Sequence, residues 1–178
     1  MSTTTNVWNI DPTHSEIQFK VKHLVISTVT GNFKTFDAKI ESDGTDLTGA
    51  KATFTADVDS IFTNNADRDT HLKSDDFFNA EKYPKLSFES TSIEKTGEGK
   101  YKANGNLTIR DITKEITLDV EFGGSVVDPY GQTKAGYEIT GSINRKEFNL
   151  SWSAVTEAGN IVVSDEVKLI LNVQFVKA

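Results

Sequence analysis

The chain contains no cysteine among its 178 residues. This absence excludes disulfide bonds, thiolate zinc sites, iron–sulfur clusters and cysteine nucleophiles together. Histidine is also scarce, because only His14, His23 and His71 are present and none forms a closely spaced pair of the kind that binds a metal ion. We therefore expect neither a metal site nor a cofactor.

Long apolar runs and an excess of positive charge are missing as well. No stretch approaches the ~18 consecutive apolar residues of a membrane-spanning helix. Residues 1–8 carry neither a basic region nor an apolar segment, so no secretory signal is predicted. We expect the cytoplasm, or the periplasm if a leader has been removed. With 19 Lys and Arg against 26 Asp and Glu, the net charge is −7, which argues against nucleic acid as a partner.

Motifs of the common catalytic sites are absent too. The sequence has no Gly-x-Ser-x-Gly elbow, no phosphate-binding loop and no dinucleotide fingerprint. Asp57 and Asp59 form a carboxylate pair, but they lie opposite Ala56 and Val58 in an alternating run, which places them in solvent. Solvent is a poor environment for acid–base catalysis. We predict a protein that is not an enzyme and has no catalytic residues.

The sequence is rich in alternation between apolar and polar residues. Such runs are typical of strands with one buried face. Turn signals such as Asp43-Gly44 and Gly123-Gly124 separate them, and short connections imply antiparallel neighbours. Eight such runs are found, at residues 17–21, 36–40, 52–58, 86–88, 101–109, 116–122, 135–143 and 167–175.

These runs predict an all-β fold in a single domain, residues 1–178. A sandwich and a closed barrel would each bury one face of the sheet, and long, evenly spaced strands favour an eight-stranded antiparallel barrel. Such a barrel is filled by side chains or holds one small ligand. Gly105, Gly141 and several alanines at inward positions either leave room for a slender apolar ligand or allow the sheet to bend.

One segment breaks the alternation. Residues 64–84 predict one or two short helices, with Asn64 or Asn65 as N-cap and with Asp67 and Asp69 in the first turn. A long connection in a compact β domain is usually functional. We expect this insert to cap one end of the barrel.

Apolar residues provide the candidate binding site. Phe77 and Phe78 lie inside the insert, where they either plug the barrel as core residues or line the entrance of an apolar tunnel. His23 continues the inward face of the first run and is placed to meet a polar head group. The full set expected to contact a ligand is Ile17, Phe19, Val21, His23, Phe33, Phe36, Leu72, Phe77, Phe78, Leu107, Ile139 and Trp152.

Several segments together carry a family resemblance over residues 8–173. They are 8–15 (WNIDPTHS), 31–36 (GNFKTF), 71–78 (HLKSDDFF) and 105–109 (GNLTI), together with His23, Arg68, Tyr83-Pro84, Thr113-Lys114 and Asn144-Arg145. In these motifs the chain resembles the YceI-like family of polyisoprenoid-binding proteins, whose barrel is lipocalin-like. Two departures, Asp111 and Asn149, stand where the family tends to have glycine, and both residue types tolerate left-handed geometry.

The resemblance implies an eight-stranded antiparallel lipocalin-like β-barrel whose apolar tunnel holds a long isoprenoid or similar lipid, with no catalytic residues. We expect a soluble protein that binds a polyisoprenoid, an isoprenoid quinone or a similar chain for transport, storage or sequestration. Two alternatives stay open. One is an enzyme acting on an isoprenoid or quinone head group near His23, His71 or Arg145, and the other is an interaction domain with a fully packed barrel. An exposed apolar face on the insert would permit a homodimer.

Overall fold

The computed structural model describes residues 6–23, 27–43, 46–74, 77–148, 150 and 163–178. Within these residues it contains eleven strands, one α-helix and three short 3-10 turns. The helix is α1 (Ala66–Lys73), and the turns are Pro12–His14, Val58–Ser60 and Arg145–Phe148. The strands are β1 (Asn6–Ile10), β2 (Glu16–His23), β3 (Ser27–Phe33), β4 (Phe36–Asp43), β5 (Asp46–Asp57), β6 (Ile61–Phe62), β7 (Lys85–Gly97), β8 (Lys100–Ile109), β9 (Ile112–Val127), β10 (Thr133–Asn144) and β11 (Val163–Lys177).

Eight of these strands close into a barrel. The order around the ring is β1, β4, β5, β7, β8, β9, β10 and β11, and β1 closes the ring by pairing with both β4 and β11. Each pairing in the ring is antiparallel. The predicted eight-stranded antiparallel barrel is therefore confirmed.

Alternation alone does not predict three of the strands. β1 has five residues and β6 has two, so neither gives a readable period. β3 is mostly polar, and only Val29 and Phe33 in it are large and apolar. The alternating run at residues 17–21 was expected to be one of the eight ring strands. It is β2, but β1 closes the ring instead, because β1 pairs with the end of the long strand β11 and β2 pairs with its earlier part.

The barrel has two unlike ends. The β7–β8 and β9–β10 turns lie at the end where Asn6 of β1 faces Ser42 of β4, which we call the closed end. The β8–β9 turn and the insert lie at the opposite end, which we call the lid end. At the lid end, β2, β3 and β6 extend the wall, since β3 pairs with β2 and with Ile61 and Phe62 of β6.

The core lies inside the ring. In β8, Tyr101, Ala103, Gly105, Leu107 and Ile109 are buried, and the residues that alternate with them are exposed or half-buried. This is the burial expected of a strand that turns every second side chain into a barrel.

The insert contains one α-helix within its described residues. Asn65 is the N-cap of α1, and its side-chain oxygen accepts the N–H of Arg68 at 3.0 Å. This agrees with one of the two predicted caps. Ser74 ends the helix, and its N–H donates to the carbonyl of His71 at 3.1 Å. Further on, turn hydrogen bonds replace helical ones, including the bond from the N–H of Tyr83 to the carbonyl of Asn79 at 2.8 Å.

Candidate functional site

A cavity of about 630 Å³ occupies the interior of the barrel. Side chains from almost every strand of the ring line it, and most of them are aliphatic or aromatic. The polar residues of the lining gather largely at the lid end, where α1 supplies Asp67, Arg68 and His71 and the preceding loop supplies Thr63 and Asn65. The site is therefore an apolar chamber with a polar rim at one end.

Nine of the twelve predicted contact residues lie on this lining. Phe36 is partly buried and packs against the core, but it does not line the cavity. The side chain of His23 and the whole of Trp152 lie outside the described residues. The nine are Ile17, Phe19, Val21, Phe33, Leu72, Phe77, Phe78, Leu107 and Ile139.

Several lining residues were missing from the predicted set. Phe54, Phe88, Leu118 and Val173 face the cavity from β5, β7, β9 and β11. Each stands at an inward position of a predicted alternating run, so the same period-two signal identifies them. Most of the predicted residues came from the insert and from β2, β3 and β4, whereas the lining is distributed around the ring.

The small inward residues divide into two groups. Ala38, Ala52 and Ala103 line the cavity and leave space in it. Gly105 and Gly141 do not line the cavity, because neighbouring side chains cover them. The sequence left open whether the small inward residues make room for a ligand or allow the sheet to bend. For the three alanines, the first interpretation agrees with their place on the lining.

An aromatic path runs from the cavity wall to the insert. The ring centroids of Phe19 and Phe33 are 5.6 Å apart, and those of Phe33 and Phe78 are 6.0 Å apart in an edge-on arrangement. Phe77 packs edge-on against His71 at 5.1 Å. Phe77 is buried and Phe78 half-buried, and both line the cavity. They are therefore both core and lining residues of the insert, residues 64–84, whose described part we call the lid.

Polar contacts hold the lid in place. The carboxylate of Asp69, which is 9% exposed, accepts hydrogen bonds from the backbone N–H and the hydroxyl of Thr63. Arg68 donates to the Thr63 hydroxyl oxygen at 2.8 Å and to its carbonyl at 2.6 Å. From the β8–β9 turn, Arg110 donates to the carbonyl of Phe77 at 3.1 Å. The bonds of Asp69 and Arg68 attach α1 to the loop that precedes it. The bond of Arg110 attaches the turn that follows α1 to the barrel.

Arg145 is a buried charge at the lid end. It is 2% exposed, lines the cavity, donates to the carbonyl of Leu150 and lies 3.8 Å from the carboxylate of Asp165. Burial lowers the pKa of Arg145, and the neighbouring Asp165 carboxylate opposes that shift. Its hydrogen bond to the Leu150 carbonyl gives Arg145 a structural role as well as a place on the lining.

The closed end is filled by aromatic side chains. Trp8 and Tyr101 are buried there, and Tyr137 packs against Phe122 and Phe175 with centroids 5.4 and 6.1 Å away. Burial raises the pKa of Tyr137 to about 12, with a smaller contribution from the neighbouring Tyr101. The shift therefore affects the protonation of this phenol only at alkaline pH.

A charged cluster lies outside the cavity, where β1 passes to β2. Asp11 accepts from the hydroxyl of Thr13 at 2.7 Å, contacts Nδ1 of His14 at 2.8 Å, and accepts from Lys134 at 3.2 Å. The bonds from Thr13 and His14 hold the pKa of the Asp11 carboxyl well below its usual range. This cluster joins the turn Pro12–His14 to β10 and does not reach the lining residues.

Two negative findings apply to the part of the chain that the structure describes. No helix there has the length and apolar character needed to cross a membrane. No three His, Asp or Glu side chains come together there in a way that could hold a metal ion.

Comparison with known proteins identifies relatives along almost the whole chain. A family model described as a YceI-like domain matches residues 8–175. A UPF0312 protein of Staphylococcus epidermidis is 40% identical over 169 residues, which cover 94% of this chain and 96% of the relative. A UPF0312 protein of Staphylococcus aureus is 38% identical over the same length, with the same coverage.

Solved structures share the fold. A YceI protein of Campylobacter jejuni is 38% identical, with a TM-score of 0.76 over 88% of this chain and 90% of that one. BcnA of Burkholderia cenocepacia has a TM-score of 0.81 at 24% identity, over 93% of this chain and 98% of that one. A polyisoprenoid binding domain from Saccharophagus degradans has a TM-score of 0.68 at 16% identity, over 96% and 98%. At these identities the last two show the fold alone.

Proposed function

This chain belongs to the YceI-like family, and we propose that it is a binding protein that holds one long apolar lipid inside its barrel. The ligand is a polyisoprenoid, an isoprenoid quinone or a similar chain, and the protein transports, stores or sequesters it. The observation that carries the proposal is the apolar cavity of about 630 Å³.

The size of the cavity is difficult to explain as imperfect packing. Protein interiors contain few voids larger than a water molecule. Empty apolar space is unfavourable because the side chains around it lack packing partners. An apolar occupant would supply those contacts.

The chemistry of the lining favours a chain over a polar metabolite. Each buried CH₂ contributes about 0.8 kcal/mol, so ten of them would contribute about 8 kcal/mol before the cost of immobilising the ligand. The polar rim at the lid end, with Arg68 and His71, suits a polar head group there and the apolar tail beneath it. The name of the Saccharophagus degradans neighbour, a polyisoprenoid binding domain, supports an isoprenoid tail.

Native mass spectrometry on protein purified from cells tests the proposal. We expect an added mass that organic extraction removes and that added polyprenol restores. If no lipid copurifies and polyprenols do not bind to the extracted protein, the proposal is rejected.

The lid contributes a second test. Replacing Phe77 and Phe78 together with serine removes two aromatic lining residues from the lid end, so we expect a smaller lipid-bound fraction. Phe62→Ser is the matched control, because Phe62 is 38% exposed and does not line the cavity. Equal lipid retention in the double variant and the control would show that the lid does not hold the ligand.

An enzyme acting on an isoprenoid or quinone head group is the second candidate. The observation in its favour is that Arg68, His71 and Arg145 all lie on the lining, where a head group would meet them. The test is turnover of polyprenyl or quinone substrates by the wild type and by His71→Ala. Turnover that depends on His71 would establish an enzyme, and its absence leaves the binding protein.

The homodimer predicted from the insert stays a prediction. Static light scattering of the lipid-loaded protein measures it directly. A mass of two chains would confirm the dimer, and a mass of one chain would exclude it.

A further inference from the structure

We propose that Gly31 and Gly141 set the bore of the cavity and thereby select the kind of chain that the barrel accepts. This inference rests on the proposed function. It concerns two residues that do not themselves line the cavity and that act through the large side chains lying over them.

Phe19 lies directly over Gly31. The two residues face each other across β2 and β3. A Cβ atom on Gly31 would stand 2.2 Å from Cζ and 2.6 Å from Cε1 of the Phe19 ring, distances that real Cβ atoms do not show. The ring therefore occupies the place of the missing side chain. Phe19 is itself a lining residue, and because its ring lies over Gly31 it takes up less of the cavity.

Leu118 lies over Gly141 in the same way. A Cβ atom on Gly141 would stand 2.5 Å from Cδ2 of Leu118, while the next obstacle, the Thr117 carbonyl oxygen, is at an ordinary 3.7 Å. Leu118 also lines the cavity. Leu118 can therefore lie against the barrel wall, because Gly141 on the neighbouring strand has no side chain.

The strand register places both pairs in one pattern of large and small residues. Gly141 faces Leu169, Leu169 faces Phe19, and Phe19 faces Gly31. In the other direction, Leu118 faces Ala103, which in turn faces Ile93. A large residue beside a small one can lie along the wall, as Phe19 does over Gly31 and Leu118 over Gly141. Leu169 and Phe19 are two large residues side by side, but each has a glycine on its other side.

The direction of displacement follows from this packing. A methyl group at either position would force Phe19 or Leu118 off the wall, and the free space beside both is the cavity. The lumen would become narrower while the strands stay in register. A methyl-branched chain is wider than a straight one, so its binding is expected to suffer more.

Gly105 resembles these positions but is not part of the proposal. A Cβ atom there would stand 2.5 Å from the backbone carbonyl oxygen of Glu89 as well as from the ring of Phe88. Because backbone cannot swing aside, Gly105→Ala would disturb the sheet itself. Gly136 is the opposite case, since the nearest atom to its added Cβ would be 4.0 Å away. It lies on β10 with Gly141 and serves as the matched control.

The test compares two probes, geranylgeraniol and the straight-chain alcohol of the same carbon number, in competition with a fluorescent lipid. A single methylene in a hydrophobic pocket changes affinity by roughly ten- to two-hundredfold. We expect Gly31→Ala and Gly141→Ala to weaken the binding of geranylgeraniol by roughly ten- to a hundredfold, and to weaken the binding of the straight-chain alcohol by less.

Two further variants serve as controls. Gly136→Ala should bind both alcohols as the wild type does. Adding Leu118→Ala to Gly141→Ala removes the clashing atom and should recover most of the lost affinity.

A folded Gly141→Ala variant that keeps the wild-type ratio between the two alcohols would overturn the inference. If the wild type binds neither alcohol, the proposed function fails instead. Crystal structures of the variants then decide the inference separately: Phe19 or Leu118 displaced into the lumen supports it, and both side chains unmoved rejects it.

Discussion

The two ends of the barrel are closed by contacts of different range. At the closed end the ring of strands is continuous, and Trp8, 3% exposed, lies among residues from strands far apart in sequence. At the lid end, the helix α1 is fastened mainly by neighbours in sequence, as in the bonds from Thr63 to Asp69 and from Arg68 to Thr63.

This difference separates stability from access. Contacts between distant strands are lost only when the barrel unfolds as a whole, whereas contacts within a short segment can be lost by local opening. The closed end is therefore expected to carry the global stability. The lid end is expected to govern the entry and exit of the ligand.

The largest expected effect is at the closed end. Trp8→Ala should lower the free energy of unfolding by about 3–5 kcal/mol, because it removes a buried aromatic side chain from the core. Urea denaturation measures it. Tyr130→Ala at the β9–β10 turn of the same end is the control, because Tyr130 is 89% exposed and its loss should change stability by less than about 0.5 kcal/mol. A loss below about 1 kcal/mol for Trp8→Ala would contradict the assignment of global stability to this end.

An intermediate effect is expected at the lid. Asp69→Ala leaves the N–H and hydroxyl of Thr63 without their acceptor, at a cost of about 1–3 kcal/mol. The cost should appear as faster amide hydrogen exchange in α1, with unchanged exchange in β8. Asp67→Ala on the same helix is the control, since Asp67 is exposed and its loss removes only a first-turn charge worth about 0.3–1 kcal/mol. Equal acceleration in α1 and β8 would mean that the lid does not open on its own.

A smaller effect is expected at the start of α1. Asn65→Ala removes the N-cap bond to Arg68 and should cost about 1 kcal/mol, again confined to exchange in the helix. Asn65→Ser keeps a capping oxygen and should restore most of the protection. If serine and alanine behave alike, the cap does not stabilise the lid.

The last effect is confined to alkaline pH and is absent at neutral pH. The pKa of Tyr137 is raised to about 12 by burial, whereas a tyrosine in an unfolded chain titrates near pH 10. Above pH 10 the unfolded chain therefore loses this proton before the folded one does, so stability should fall as the pH rises from 10 to 12. Tyr137→Phe should flatten that part of the alkaline unfolding curve. The same slope in both proteins would show that Tyr137 is not the group responsible.

The barrel could be predicted from sequence because its strands are long and regular. β8 and β10 alternate over ten and twelve residues, which leaves little doubt about their faces. β1 and β6 could not be predicted, because five and two residues give no period. Their existence depends on partners elsewhere in the chain, and a single-strand pattern does not contain that information.

The sequence predicted those residues of the candidate site that line the cavity from regular strands. Phe19, Leu107 and Ile139 stand at inward positions of alternating runs, and they do line the cavity. Asp69 was expected only as a favourable acid in the first helical turn, and its bonds to Thr63 depend on how the helix docks. The role of Gly141 depends on Leu118, which lies over it from the neighbouring strand. The alternation of a single strand does not show which residue of the next strand lies beside it.

A crystal structure of the protein as purified from cells would show directly whether the barrel holds a lipid. We expect continuous, elongated density within the barrel, with its polar end beside Arg68 and His71 and its tail passing Phe19 and Leu118 toward Tyr137. An interior that holds only ordered water, or that is closed by the lining side chains, would contradict it.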